Sequence, residues 1–381
     1  MIDFTLTDEQ ELIRNTVREF AQEHLAPGVI ERDDKAIFPA EQIKIMADLG
    51  FMGMMIPEKW GGSGIDTRSY VLALEEIAAV DASAAVIMSV NNSLVCQLLF
   101  DWGTNEQKEK YLIPLAKGKK LGAYSLSEPQ SGSDASNMRT FAEKNGTHYI
   151  LNGTKNWVTN GQTSDVVIVF CLTEKGVGYK GISAFIVGKG LKGLSVGKKE
   201  DKLGIRASDT CELYFEDCQI PVENLIGEEG QGFKVALKTL SGGRIGIASQ
   251  ALGIARAALD ASISYANERH QFGQPIGEFG AIQNKIADMA TEIDAARLLI
   301  WRAAHLKDLG KPFNKEASMA KLYASSVAMR ASRECVQIHG GYGYMQEYGV
   351  ERLMRDAKIT QIYEGTSEIQ QLVIAKELLK K

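Results

Sequence analysis

The chain has 381 residues, with 43 Lys plus Arg against 48 Asp plus Glu for a net charge of −5, and is 45% hydrophobic and 24% charged. That balance argues against a disordered or collagen-like chain and against a nucleic-acid binder, while the length predicts two or three domains at roughly 100–200 residues each. No apolar run approaches the ~20 residues of a bilayer span, stretches such as residues 84–88 being the best, so no membrane span is expected.

The start, MIDFTLTDEQ, is acidic and polar, without the basic and apolar regions of a secretory leader or the Arg-rich look of a transit peptide. Thr7 and Gln10 are spaced as a capping box, and Ile13, Val17 and Phe20 follow at helical spacing. Further helical stretches are expected as far as Gly118, broken by turn residues at Pro57, Gly61, Gly62, Gly64 and Pro114. From Leu121 the pattern changes to that of strands. Asn145-Gly146 joins two short runs, and residues 166–172 and 182–187 are rich in β-branched and aromatic side chains. Residues 211–215 and Ile220 read as the last strand, ended by Pro221. After Gly232 the helical period returns. Ile247, Ala251, Ile254 and Ala258 mark one helix, and Ile286, Met289, Ile293, Ala296, Ile300 and Ala303 another. Residues 316–336 and 367–379 predict a third and a fourth, as suits a bundle.

The five cysteines, Cys96, Cys171, Cys211, Cys218 and Cys335, are odd in number and scattered, which agrees with a reducing compartment. The five histidines are equally dispersed, so no protein metal site is expected. Lys117, Lys119 and Lys120 form the one compact basic cluster and read as a solvated loop. Gly176, Gly178 and Gly181 match G-x-G-x-x-G, but a strand-like run follows where a dinucleotide site needs a helix N-terminus, so a hairpin loop is expected.

Three segments carry chemistry. Residues 123–134, AYSLSEPQSGSD, combine hydroxyls and small residues and read either as a plain turn or as a ligand-binding loop between domains. In residues 156–161, NWVTNG, Trp157 and Thr159 share a face of a strand, so the ring either packs on a flat ligand or is an ordinary core tryptophan. Residues 362–368, IYEGTSE, set a carboxylate beside a glycine and an N-capping hydroxyl, Thr366 or Ser367; Glu364 alone reads either as a functional acid or as one merely near a helix start. His339 before Gly340 and Gly341 starts a loop of close approach and by itself reads as structural.

LSEPQSGSD (126–134), NWVTNG (156–161), GGRIGIA (242–248), ERHQFGQPI (268–276), QIHGGYGY (337–344) and IYEGTSEIQ (362–370) together resemble, in order and over essentially the whole chain, the motifs of the acyl-CoA dehydrogenase family, most of all its short-chain, butyryl-CoA type. The resemblance implies an α+β fold: an N-terminal helical domain (1–120), a middle, β-barrel-like domain (121–231) and a C-terminal four-helix bundle (232–381). It also implies FAD, an acyl-CoA substrate, electron transfer to an electron-transfer flavoprotein, and a homotetramer built as a dimer of dimers. A cytoplasmic bacterial location follows, or the mitochondrial matrix if the chain is a processed product.

Residue by residue, Glu364 matches the base that removes the α-proton of the acyl thioester. Tyr124, Leu126, Ser127, Gly132, Ser133, Trp157 and Thr159 match the flavin side, with Thr159 near N5 and Ser133 also touching the CoA arm. Arg269, Gln271, Phe272, Gln337, Gly340 and Gly341 match partner-subunit groups at the FAD pyrophosphate and adenosine, and Thr366 and Glu368 match further cofactor contacts. Ser241, Arg244, Tyr363 and Gly365 match the substrate side. Two positions depart from the family: Ser241 stands where relatives often carry Asp, and Gly280 where they often carry Gln. Gly243 occupies the place of the base in isovaleryl-type and long-chain relatives, which leaves Glu364 as the candidate base. The alternatives are the same chemistry on medium or branched chains, an acyl-CoA oxidase, and a flavin-binding scaffold without catalysis.

Overall fold

A computed structural model describes residues 4–380. Helix α1 (Asp8–Phe20) starts with the expected capping box, in which Thr7 Oγ1 accepts from the Gln10 N–H and Gln10 Oε1 accepts from the Thr7 N–H; its Val17 and Phe20 are buried. Helices α2 (Ala40–Asp48) and α3 (Thr67–Val80) follow, and then α4 (Ala82–Trp102). Asp66 and Asp81 cap α3 and α4 through their carboxylates. Helix α4 corrects one expectation, since its 21 residues are long and apolar enough to span a bilayer. Ser89, Asn91, Asn92 and Ser93 interrupt the apolar run in the sequence, yet on a helix they count little against the surrounding Ala, Val, Leu and Ile. Because 89% of its most apolar stretch is buried inside the protein, α4 is a core helix. A π-helical stretch at Val90–Cys96 carries Asn91 and Asn92. Their amides donate to Met52 O and Phe51 O, both at 2.8 Å, and Asn91 Oδ1 accepts from the Gly122 N–H at 2.9 Å. Those bonds anchor the first strand to the helical region.

The strands of the middle region are β1 (Gly122–Ser125), β2 (Phe141–Asn145), β3 (His148–Thr159), β4 (Val166–Leu172), β5 (Ile182–Gly188), β6 (Leu194–Lys199), β7 (Thr210–Pro221) and β8 (Leu225–Ile226). They form one mixed sheet in the order β6-β7-β3-β2-β4-β5-β8, with β1 parallel to β4. Gly146 and Thr147 turn β2 into β3, with Asn145 ending β2 opposite His148, so the expected turn lies one residue later than Asn145-Gly146, and Gly178–Gly181 is a short 3-10 turn between antiparallel β4 and β5, the loop expected there. Side chains from six strands, among them Ala123, Ala142, Leu151, Val169, Phe185 and Leu213, meet in one interior. Alternate residues of β4 and β5, such as Ile168, Phe170, Ala184 and Ile186, point the other way into the core shared with the helices. Burial on both faces explains the unbroken apolar runs of these two strands.

Helices α5 (Gly232–Glu268), α6 (Gly280–Asp308), α7 (Asn314–His339), α8 (Val350–Thr360) and α9 (Ser367–Leu378) complete the chain. The predicted apolar faces of α5 and α6 are buried, except that Ile286 is only half-buried. Helix α7 is longer at both ends than expected, and α8 was missed because its buried face includes Arg352 and Asp356. Asp356 Oδ1 accepts from the Ile205 N–H at 2.5 Å, tying α8 to the strand region, and burial pushes this carboxyl up to about 6 against the opposing pull of Arg352.

Candidate active site

Between α8 and α9 the backbone turns through two consecutive left-handed residues, Glu364 at φ 52° and Gly365 at φ 91°. Glutamate takes that conformation at a cost of about 1 kcal/mol, so neighbouring groups must hold it there. Lys321 Nζ, from α7, donates to Gly365 O at 2.6 Å. Gln370 Nε2, from α9, donates to Glu364 O at 3.1 Å and to Gly365 O at 2.8 Å. Thr366 caps α9 by accepting from the Ile369 N–H, and Glu368 lies exposed in its first turn.

The turn drives the Glu364 carboxylate into the protein, where Oε2 is buried without a hydrogen-bond partner. Burial pushes this carboxyl up to about 7, against the pull of Lys321 and Arg244. The room for it comes from α5. A Cβ on Gly243 would stand 2.3 Å from Glu364 Oε2 and 2.7 Å from Leu94 Cδ2. Arg244, also on α5 and buried, donates from Nη1 to Asn314 Oδ1 at 2.8 Å and to Ser318 Oγ at 3.1 Å. Ser241 Oγ donates to the same Asn314 oxygen at 2.9 Å, so both substrate-side candidates share one partner. The Tyr363 hydroxyl donates to Gln250, whose amide donates to Ala82 O. Burial raises the phenols of Tyr70, Tyr124 and Tyr363, and the Glu364 charge adds to each, which places all three around the carboxylate.

A second group surrounds the end of β1. The loop after it is held by Glu128, whose Oε1 accepts from Lys155 Nζ at 2.8 Å and whose two oxygens accept from the Arg139 and Thr140 N–H groups; both side chains of this ion pair are buried. Lys155 also donates to Leu126 O, and the Asn156 N–H donates to Ser127 O. Leu126 and Ser127 are thereby fixed beside Trp157, while Gly132 and Ser133 lie exposed further along the loop. Trp157 sits at φ 55° where β3 bulges against β7 and is 57% exposed, which rules out the core reading of this ring. Thr159 ends the strand half-buried. The Tyr124 hydroxyl and Ser125 Oγ are buried with no partner.

A third group lies apart from Glu364. A cleft of about 470 Å³ is lined by Tyr265, Arg269, Gln271, His339, Gly340 and Gly341 among others, with the Arg269 guanidinium 5.5 Å from the centre of the Tyr342 ring. No atom would crowd a Cβ at Gly340 or Gly341. Phe272, 94% exposed, and Gln337, also exposed, do not line this cleft. Gly280, the first residue of α6, likewise has open space around it.

Three family models describe the chain: the acyl-CoA dehydrogenase N-terminal domain over residues 7–119, the middle domain over 123–218 and the C-terminal domain over 230–379. The chain belongs to the acyl-CoA dehydrogenase family. A relative in this family, the short-chain-specific acyl-CoA dehydrogenase of Clostridium acetobutylicum, is 50% identical over 379 residues and the match covers 100% of both chains. The solved butyryl-CoA dehydrogenase of Megasphaera elsdenii superposes with a TM-score of 0.98 at 51% identity, again over 100% of each chain. A chain solved in a study of the electron transferring flavoprotein of Acidaminococcus fermentans gives 0.99 at 50% identity with the same coverage.

Several groups that build this acyl-CoA dehydrogenase's site went unread in the sequence. Lys321 carried a signal: it falls with Ala317, Ala324 and Ala328 on one helical stripe, all buried, where a charge is out of place. Lys155 carried a weaker one, as a single lysine inside an otherwise strand-like run. Gln370 carried only its place at the end of IYEGTSEIQ and Asn314 carried none, since only the tertiary fold brings them to the turn and to Arg244.

Proposed function

We propose that this chain catalyses the α,β-dehydrogenation of a short-chain acyl-CoA of the butyryl-CoA type to the trans-2-enoyl-CoA, with FAD as cofactor and an electron-transfer flavoprotein as electron acceptor. The observation that carries the reading is the buried Glu364 oxygen without a partner, a carboxylate whose basicity burial has raised to suit proton abstraction near neutral pH. Glu364 takes the α-proton of the thioester onto a carboxylate oxygen, the pair of electrons left at Cα forms the double bond, and the β-hydrogen departs as hydride. Bound FAD supplies the hydride acceptor. The left-handed turn leaves the Glu364 N–H without an intramolecular acceptor among the described residues, which frees it to meet the negative charge developing on the thioester oxygen. One such donor stabilises a transition state by about 3–4 kcal/mol.

The donor set suits FAD. Trp157 on β3 offers an exposed ring, and β1 offers the unpartnered Tyr124 hydroxyl and Ser125 Oγ, for a flat and polar ring system. Leu126, Ser127, Gly132, Ser133 and Thr159 line the same side, and Ser133 extends toward the CoA arm. Arg269 and Gln271 with Gly340 and Gly341 form a cationic, uncrowded cleft suited to a pyrophosphate. In a dimer of dimers that cleft, with Phe272 and Gln337 beside it, serves the partner's cofactor, and Thr366 and Glu368 add contacts at α9. Arg244, Ser241, Tyr363 and Gly365 hold the thioester. The domains follow as 1–120, 121–231 and 232–381, in a cytoplasmic protein.

The test is anaerobic mixing with butyryl-CoA, octanoyl-CoA or isovaleryl-CoA while the flavin absorbance is followed. Butyryl-CoA bleaches the flavin fastest, and Glu364→Gln keeps its FAD but bleaches at least about a thousandfold more slowly. Normal turnover in that variant overturns the assignment of the base, and a flavin that no acyl-CoA reduces favours the scaffold.

A further inference from the structure

A second residue is built into the base. Lys321 is fully buried on α7, in the stripe of alanines that packs the bundle, and its ammonium reaches Gly365 O. An ammonium in such a place costs several kcal/mol unless it is hydrogen-bonded and faces negative charge. Among the described residues its one hydrogen bond is to the turn that carries Glu364, and the carboxylates whose charge reaches it are Glu364 and Glu368.

We infer that Lys321 is a positioning residue for Glu364: it holds the left-handed Glu364–Gly365 turn by the Gly365 carbonyl and supplies positive charge to the carboxylate that takes the substrate proton. The inference rests on the reading of Glu364 as the base. Groups from every packed element face that carboxylate: Lys321 from α7, Arg244 from α5, and the phenols of Tyr70 from α3, Tyr124 from β1 and Tyr363 beside it. Of the two cations Lys321 exerts the stronger pull, and Arg244 shares its guanidinium with Asn314 and Ser318. Burial lowers Lys321 and raises Glu364, and the attraction of each for the other opposes both shifts. Gln370 offers an internal comparison. It binds the same two carbonyls as a neutral amide, holding the turn without charging it.

The experiment compares Lys321→Met, Lys321→Arg and Gln370→Met as FAD-loaded enzyme with the unaltered chain. Two midpoints are read: the acid limb of kcat/KM for butyryl-CoA, and the titration of the Glu364 carboxyl band by infrared difference spectroscopy, assigned by its loss in Glu364→Gln. In Lys321→Met both midpoints rise by about one pH unit and kcat falls at least tenfold, with KM changed less than about threefold. In Gln370→Met kcat falls while both midpoints stay in place, and in Lys321→Arg they stay within about 0.3 unit. Unmoved midpoints in Lys321→Met, or an equal rise in Gln370→Met, overturn the inference. If Lys321→Met does not accumulate as folded protein, a full-unit rise in Lys321→Arg, where the charge is kept, does the same. Turnover by Glu364→Gln is a separate failure, that of the base itself.

Discussion

Gly243→Ala separates stability from chemistry. Inside a helix alanine is favoured over glycine by about 1 kcal/mol, and Gly243 lies within α5, so local preference alone predicts a slightly more stable protein. The added Cβ would stand 2.3 Å from Glu364 Oε2, 2.7 Å from Leu94 Cδ2 and 3.0 Å from Glu364 Cδ. Ordinary contact requires the carboxylate oxygen to withdraw by about 1 Å. All three atoms lie toward the ends of flexible side chains, so they yield at little cost to the fold. The same 1 Å displaces the base from the substrate, a misplacement that costs roughly a hundredfold in rate. The expected result is a melting temperature at or above that of the parent, full flavin content, and kcat for butyryl-CoA about a hundredfold lower. Melting is followed by circular dichroism and kcat with a dye acceptor. A kcat within threefold of the parent would refute the placement of the carboxylate against Gly243, and a loss of folded protein would refute the claim that the clash is relieved by side chains.

Lys155→Met leaves the buried Glu128 carboxylate with neutral donors only, the Arg139 and Thr140 N–H groups and the Gln130 amide, and is expected to destabilise the protein by about 3 kcal/mol in urea denaturation, with loss of flavin from the loosened loop; a change under 1 kcal/mol would contradict this. Glu364 must be ionised to act, so kcat/KM falls tenfold per unit below about pH 7, and a profile flat to pH 5.5 would exclude it as the base. The same raised carboxyl binds its proton more tightly in the folded than in the unfolded chain. Its contribution to stability is therefore present at acid pH and declines as pH rises from about 4.5 to about 7; Glu364→Gln should remove that part of the slope of melting temperature against pH.

The order of helices, strands and helices was legible because each stretch buries a face with its own period. Periodicity read less well where charge enters the core. Helix α8 hides Arg352 and Asp356, and α7 hides Lys321, so a pattern search that treats every charge as surface passes over them. At the site, Glu364 and Trp157 were recognisable as residues but not in their conformation. Both have positive φ, a state that depends on Lys321 and Gln370 in one case and on a β-bulge in the other, groups 43 and 6 residues away or on a neighbouring strand. The clearance at Gly243 was invisible for the same reason: the oxygen it admits belongs to a residue 121 positions later.

Helix α4 is covered chiefly by parts of the chain made after it. Gln250 bonds to its first residue, Ser89 packs at Gly246, and Val95 sits against Gly122. At about 5–20 residues per second, synthesis reaches the covering stretch of α5 on the order of ten seconds after α4 leaves the ribosome. For that interval the nascent chain displays a segment with the length and composition of a membrane anchor. Production of the protein should therefore respond to chaperones that hold apolar segments, and heating that strips α5 from α4 should end in aggregation before it can reverse.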